Sequence, residues 1–408
     1  MTKETIMIIG AAQEHCLGIN VAHRMGMRVF VTDGNPRSPG FALAEAFSVA
    51  STYDPKATLD AAKNYIENGG RIDGVMTLAA DVPYTVAYVA EHLGLAGIGL
   101  ETALNASEKI RMKECFLQRS LPMPLFREVA NEEHLMQVAD EFGLPIVVKP
   151  VDSRGARGVQ LIRERTLLPA AYSNARQYSP TDRVMIEEYL PGPQLSTEGF
   201  MLDGEAYVPA IFDRNYEYLD RFAPFVVENG GEMPSLYEPR IRDEINSVMK
   251  QAALALGMET GVIKGDLVVS QGQVKVIEIA ARLSGGFFGT VATPASCGVD
   301  LVRTNIEVSL GRSVDPHQLD HKYERAAAIR FAFPESGRVI HVDGLSEILQ
   351  DESCCYAHVF VNEGDVIPTI TNHPGRPAVV VADGDTREDA VINANRLINS
   401  LCWQIEQI

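Results

Sequence analysis

The stretch VIEIAARLSGG, Val276 to Gly286, decides how this chain is read. It sets an acid (Glu278), a fixed cation (Arg282) and a bare backbone turn (Ser284, Gly285, Gly286) close together. Asp266 lies one short hairpin upstream, in KGDLVVSQGQVKVIEI. Strand alternation is expected to turn Val274, Val276 and Glu278 to one side. Two carboxylates on neighbouring strands, aimed at one cleft, suit a hard oxygen-seeking cation such as Mg²⁺. An arginine just beyond the acid would face the same cleft and stabilise an oxyanion there. The same residues also read as an ordinary hairpin with a solvated salt bridge.

Working outward, composition bounds the answer. At roughly 150 residues per domain, 408 residues give two or three domains. An apolar share of 46% against 22% charged residues describes a globular chain able to build real cores. The net charge of −18 argues against nucleic-acid and anionic-membrane partners, which repel an acidic surface. An anionic substrate such as ATP then needs a local cationic pocket and a metal ion. IMIIGAA near the N-terminus is too short for a signal peptide and leads into a βα unit. No apolar run reaches the ~20 residues that span a bilayer, so a cytoplasmic protein is expected. The six cysteines show no CxxC spacing and read as reduced thiols. The nine histidines show no HxH or HExxH pairing, which argues against structural zinc.

The first hundred residues alternate strand and helix. TIMIIGAA, MRVFVTDG, AFSVAS and DGVMTLAA read as strands, with CLGINVAHRMG and PKATLDAAKNYIENGG as helices between them. Such alternation implies a parallel sheet with helices on both faces. GAAQEHCLG is not GxGxxG, so the dinucleotide fingerprint of a dehydrogenase is absent. Residues 107–142 look helical apart from LPMPLFREV, and residues 145–162 form a hairpin with a glycine-bearing tip. RVMIEEYLPGPQLSTEGFMLDGEAYV adds two strands, and IRDEINSVMKQAALALGM has a helical period. VDLVRTNIEVSLG is a further helix. After about residue 312, short β-like runs are punctuated by Gly and Pro. The chain then closes with a strand, a turn and an amphipathic helix capped by Asp385 or Thr386.

Three further segments carry chemistry. Lys149 ends an apolar strand, and the tip after it supplies Asp152, Ser153, Arg154, Gly155, Arg157 and Gly158. Glycine lets backbone N–H groups approach an anion, and the basic side chains neutralise it. It is not a Walker loop, and on its own it reads equally as an exposed turn. VMIEEYLPG, residues 184–192, could be an interdomain hinge whose backbone meets an adenine edge while Leu190 packs on the ring. It also reads as an amphipathic strand and a turn. Arg214, in FDRNYE, could pair a substrate carboxylate or belong to a surface salt bridge.

In order, the motifs run Lys109, Lys149, a Gly/Arg loop, EEYLPG, GDLVV and VIEIAARLSGG. This series resembles the ATP-grasp superfamily, closest to its L-amino-acid ligase branch. The resemblance implies an α/β (α+β) fold of three domains. They are an N-terminal doubly wound parallel-sheet domain (1–106), an ATP-grasp domain (107–311, with a lid at about 120–190) and a small C-terminal α/β domain (312–408). It also implies that Lys109 and Lys149 contact ATP phosphates, and that Ser153, Gly155, Arg157 and Gly158 lie in the mobile loop that closes over them. By the same resemblance Glu187, Glu188, Tyr189 and Leu190 form the adenine hinge, and Gln194 stands where many relatives place a glutamate on the ribose. Asp266 and Glu278 match the ligands of Mg²⁺, with Mn²⁺ a substitute. Arg282 matches the arginine beside the acyl phosphate. Ala280 replaces a metal-binding asparagine of many relatives.

The reaction expected from the resemblance activates a carboxylate by phosphoryl transfer from ATP, after which an amine attacks. Phosphoryl transfer needs positioning and charge neutralisation more than a protein nucleophile. Arg282 and the Ser284–Gly286 backbone amides would hold the tetrahedral oxyanion. Loop closure would keep water from the acyl phosphate. The partners expected are a small carboxylate and an amine, and the composition is compatible with a homodimer. A bicarbonate-activating enzyme like biotin carboxylase, and a nucleotide-binding sensor or scaffold without ligase activity, remain as alternatives.

Overall fold

The computed structural model describes residues 3–408. Its first sheet is parallel, in the order Ala46–Val49, Arg28–Asp33, Thr5–Ile9, Gly74–Met76. Alternation divides these strands between two cores: Ile6, Ile8, Val29 and Val31 face one, while Met7, Ile9, Phe30 and Val75 face the other. Both faces are therefore covered, as the apolar runs require. Local chemistry fixes the helix ends. The Asp54 carboxylate accepts from the N–H groups of Lys56 and Ala57 and caps Pro55–Glu67. Gly94, at φ +67°, ends Pro83–Leu93.

A second sheet has four strands, in the order Phe126–Val129, Val184–Glu188, Ile146–Pro150, Gln160–Ile162. Helices Glu132–Phe142 and Leu168–Gln177 cover it, with Leu135, Val138, Val148 and Ala171 in its core. The strand Phe126–Val129 occupies the break expected between two helices, because Val184–Glu188 offers it a pairing partner.

The third sheet has eight antiparallel strands. Its order is Gln273–Ala280, Gly261–Ser270, Gln194–Leu202, Glu205–Arg214, Gly231–Met233, Ala326–Phe331, Ala378–Gly384, Cys354–Val359. Helices Glu238–Ala255 and Lys109–Gln118 pack on one face through Ile245, Met249, Met112 and Phe116. The strands beyond residue 325 thus extend the sheet that carries the acid hairpin. Thr386 and Asp389 form a capping box at the head of Arg387–Asn399. The chain does not stop at this helix. Cys402–Glu406 pairs with Gly337–Asp343 in a small fourth sheet that also takes Val366–Ile367. Its residues alternate between half-buried and exposed, which is too weak a pattern to announce a strand in five residues.

No helix is long and apolar enough to cross a membrane among the described residues. All six cysteines are free.

Candidate active site

Asp266 and Glu278 are direct cross-strand partners on Gly261–Ser270 and Gln273–Ala280. The next pair is Leu267 with Val276, so Ile277 is an extra residue, a bulge. The bulge corrects the expected alternation. Val274, Val276 and Ile279 enter the core beneath the sheet, whereas Glu278 turns the other way, with Oε1 3.6 Å from Lys109 Nζ. One inserted residue aims an acid at the cleft without exposing the apolar face.

Cations surround both acids. Arg214 Nη1 donates to Asp266 Oδ1 across 2.8 Å, and Lys264, two positions earlier on the same strand, pairs with Oδ2. Burial alone would raise the Asp266 carboxyl, but Arg214 and Lys264 outweigh it and hold the group far below the usual range. Arg214 is thus neither a surface residue nor free for a substrate. Its Nε also donates to Glu228 across 2.5 Å, and Glu228 in turn pairs with Arg376 at 3.3 Å.

Arg282 leaves the end of the acid strand and meets Asp81 at 3.3 Å, with Nη1 donating to Leu283 O across 2.9 Å. Lys109 opens its helix and donates to Ser153 O across 2.9 Å, anchoring the glycine loop. That loop holds Gly155 at φ +63° and Gly158 at φ +73°; a Cβ on Gly158 would lie 2.9 Å from Pro150. Arg157 donates to Arg154 O across 3.4 Å. Asp152 ties the loop's stem down by accepting from Ser179 at 2.7 Å and Thr181 at 2.5 Å. Lys109 therefore links the glycine loop to Glu278, which stands opposite Asp266 across the hairpin.

Lys149, Glu187 and Glu188 lie on the four-stranded sheet, with Tyr189 and Leu190 just beyond it. Glu187 is buried, and its carboxylate lies between Lys149 Nζ (2.5 Å) and Lys113 Nζ (3.0 Å). Burial would raise its carboxyl, but the two lysines win and keep it charged. Strand alternation turns its side chain to the same face as Lys149. Glu188 Oε2 accepts from Leu125 N–H across 3.2 Å. Tyr189 is half-buried, Leu190 is buried, and Gln194 opens the next strand opposite Val268. Gly192 is a close approach: a Cβ there would lie 2.1 Å from Val269 O.

The turn after Arg282 departs furthest from expectation. Ser284 N–H donates to both oxygens of Glu198, at 3.2 and 3.1 Å. Gly286 N–H donates to Glu14 across 3.0 Å, and Phe287 N–H and the Thr290 hydroxyl donate to Glu14 across 2.9 Å each. Two of the three amides expected to hold an oxyanion are thus engaged by internal carboxylates, because the turn must be fastened to two neighbouring elements. Gly285 remains against Ala79, 3.6 Å from a Cβ built there. Phe287 sits at φ +69°, an unusual backbone for an aromatic residue and a sign of constraint at this turn. Burial pushes Glu198 up to about 7, against the pull of Ser284, Lys264 and Arg282. Burial also raises Glu14, over the pull of its hydrogen bonds.

Asp266 and Glu278 fit a hard cation by chemistry and by their facing register. Among the described residues no cluster of three or more His, Cys, Asp or Glu side chains is set to hold a metal. With Ala280 in place of a third ligand, remaining positions would fall to phosphate and water oxygens.

Sequence reading missed Lys264, Glu198, Glu14, Asp81 and Lys113. Lys264 was readable, two residues from Asp266 on the same strand. Gln194, Ser196 and Glu198 form a polar stripe at strand period opposite the buried Leu195 and Thr197. Glu14 and Asp81 meet their partners only through the tertiary fold.

Comparison with known proteins bears on this geometry. A family model described as "Carbamoyl-phosphate synthase L chain, ATP binding domain" matches residues 108–317. One described as "L-amino acid ligase C-terminal domain 2" matches residues 330–406. The D-alanine–D-alanine ligase of Gloeobacter violaceus is 30% identical over 236 residues, covering 54% of this chain and 73% of that protein. The alanine–anticapsin ligase of Bacillus subtilis is 26% identical over 223 residues, covering 49% of this chain and 46% of that protein. The crystal structure of L-amino acid ligase from Bacillus licheniformis shares the fold, with a TM-score of 0.83 at 22% identity over 100% of both chains.

Proposed function

The chain belongs to the ATP-grasp carboxylate–amine ligases, and from that premise we propose that it condenses the carboxylate of an amino acid or small biosynthetic acid with an amine, spending ATP. The domain boundaries 1–106, 107–311 and 312–408 belong to this proposal. So do the assignment of Asp266 and Glu278 to Mg²⁺, with Mn²⁺ a substitute, and a cytoplasmic homodimer.

The observation that carries the reading is the linkage of the glycine loop through Lys109 to the Glu278–Asp266 pair, with Arg282 at the end of the same strand. A substrate carboxylate oxygen attacks the γ-phosphorus of ATP, the β–γ bridge breaks, and ADP leaves. Lys109 and the loop amides hold the phosphates during that transfer. Bound Mg²⁺ would supply neutralisation of phosphate charge. The amine then attacks the carbonyl carbon of the acyl phosphate, inorganic phosphate departs, and the amine gives up a proton. Arg282 faces the oxygen that gains charge in this step. With Ser284 and Gly286 amides engaged, the arginine carries most of that task. The shut loop keeps water from the acyl phosphate.

The test is phosphate release by purified protein given ATP, Mg²⁺ and a panel of amino acids and amines. The expected result is release that depends on both an acid and an amine, with a condensed product visible by mass spectrometry. Release independent of substrate, or none with any member, overturns the reading.

A further inference from the structure

We propose that Asp81 is a positioning residue that couples closure of the glycine loop to the setting of Arg282. The inference rests on the ligase reading above. Asp81 lies at the carboxyl end of the parallel sheet, between Gly74–Met76 and Pro83–Leu93. Its two oxygens face two arginines from separate parts of the fold. Oδ1 lies 3.3 Å from Arg282 Nε, and Oδ2 lies 3.6 Å from Arg154 Nε at the tip of the glycine loop. Side-chain exposure is 15% for Asp81, 14% for Arg282 and 27% for Arg154, so the triad is largely shielded from screening.

The loop is fixed in this position from two sides. The Arg154 guanidinium lies over the Tyr53 ring, 4.8 Å from its centroid. On the other side, His373 N–H donates to Gly155 O across 3.1 Å, and a Cβ on Gly155 would sit 3.1 Å from Pro374. The shut loop thus presents Arg154 to a carboxylate that already holds Arg282. An open loop removes Arg154 and admits water to Asp81, which weakens its grip on Arg282. A shut loop restores the bridge and fixes the arginine while the acyl phosphate is enclosed. Burial would raise the Asp81 carboxyl, but Arg282, Arg154 and Lys109 together hold it low with the loop in this position. An anion has no place on a triphosphate; Asp81 acts through its arginines.

The test uses the full chain with Asp81→Asn, which keeps size and removes charge, with Arg154→Gln, and with both. Hydrogen exchange over residues 153–158 is read with and without Mg-ATP, beside steady-state ligation. The parent loop should gain protection on nucleotide binding, and Asp81→Asn should lose most of that gain. A displaced catalytic group typically costs about 100-fold, so kcat should fall on that order with little change in KM for ATP. ATP spent per amide formed should rise, which a general loss of stability would not produce. Arg154→Gln should share this signature, and the double variant should be no worse than Asp81→Asn alone. If Asp81→Asn fails to fold, Arg154→Gln carries the test by the same readouts. Parent-like protection and kcat in the variants, or losses that multiply in the double, overturn the role of Asp81 alone. A parent loop indifferent to Mg-ATP overturns the nucleotide site, and the coupling with it.

Discussion

The backbone N–H of Gly286 donates to the carboxylate of Glu14 across 3.0 Å, joining residues 272 positions apart in the chain. One acid on the helix Gln13–Arg24 thereby fastens the turn beside Arg282 to the parallel sheet and its helices. Glu14→Ala leaves the N–H groups of Gly286 and Phe287 and the Thr290 hydroxyl without their acceptor. Losing charge-assisted bonds at a buried site should lower stability by about 3 kcal/mol, read by urea denaturation, with ligation slowed as the turn loosens.

Arg282→Ala should remove amide formation while leaving nucleotide binding intact. The loss of a donor to a developing oxyanion is about 10²–10³-fold in rate. Product formation by mass spectrometry and ATP titration by calorimetry separate the two. Normal product formation would contradict the assignment.

Asp266→Asn and Glu278→Gln should weaken Mg²⁺-dependent nucleotide binding by about 10-fold or more. Asp266→Asn should also destabilise the apoprotein, since Arg214 and Lys264 lose their shared countercharge. Metal titrations that match the parent would exclude the hairpin as the metal site.

Glu187→Gln leaves Lys113 and Lys149 buried with their charge only partly answered. Breaking such a buried pair costs about 3–5 kcal/mol. A melting temperature close to that of the parent would show that the lysines shed their charge instead.

Glu198 gives a pH signature. Its folded pKa of about 7 lies above the ordinary value of 4.5, so the fold holds its proton more tightly than the unfolded chain does. That contribution is complete below about pH 4.5 and disappears as pH rises toward 7. Glu198→Gln abolishes the titration and keeps an acceptor for Ser284. The parent should lose stability relative to this variant between pH 5 and 8, by roughly 3 kcal/mol in all, measured by denaturant titration across pH.

Much of the site was legible because its parts lie on short, strongly patterned segments. Lys149 ends an apolar strand and the acids flank a tight hairpin, while Lys109 was placed by its order in the motif series. The α/β alternation of the first hundred residues was equally plain. What stayed hidden depends on contacts between distant elements. The bulge at Ile277 has no glycine to announce it, and it reverses the expected facing of Glu278. The pairing of Glu187 with Lys113 was not readable, because it joins a strand to a helix distant in the chain. Ser284 and Gly286 looked free because Glu198 and Glu14 come from other parts of the fold.

The eight-stranded sheet has a consequence for anyone who would shorten this enzyme. Gly231–Met233 is flanked by Ala326–Phe331, so a fragment ending near residue 311 would leave that flank a raw edge of unanswered peptide groups. Such an edge recruits neighbouring copies, and the fragment should precipitate. Trimming the C-terminal quarter would first demand a substitute border strand.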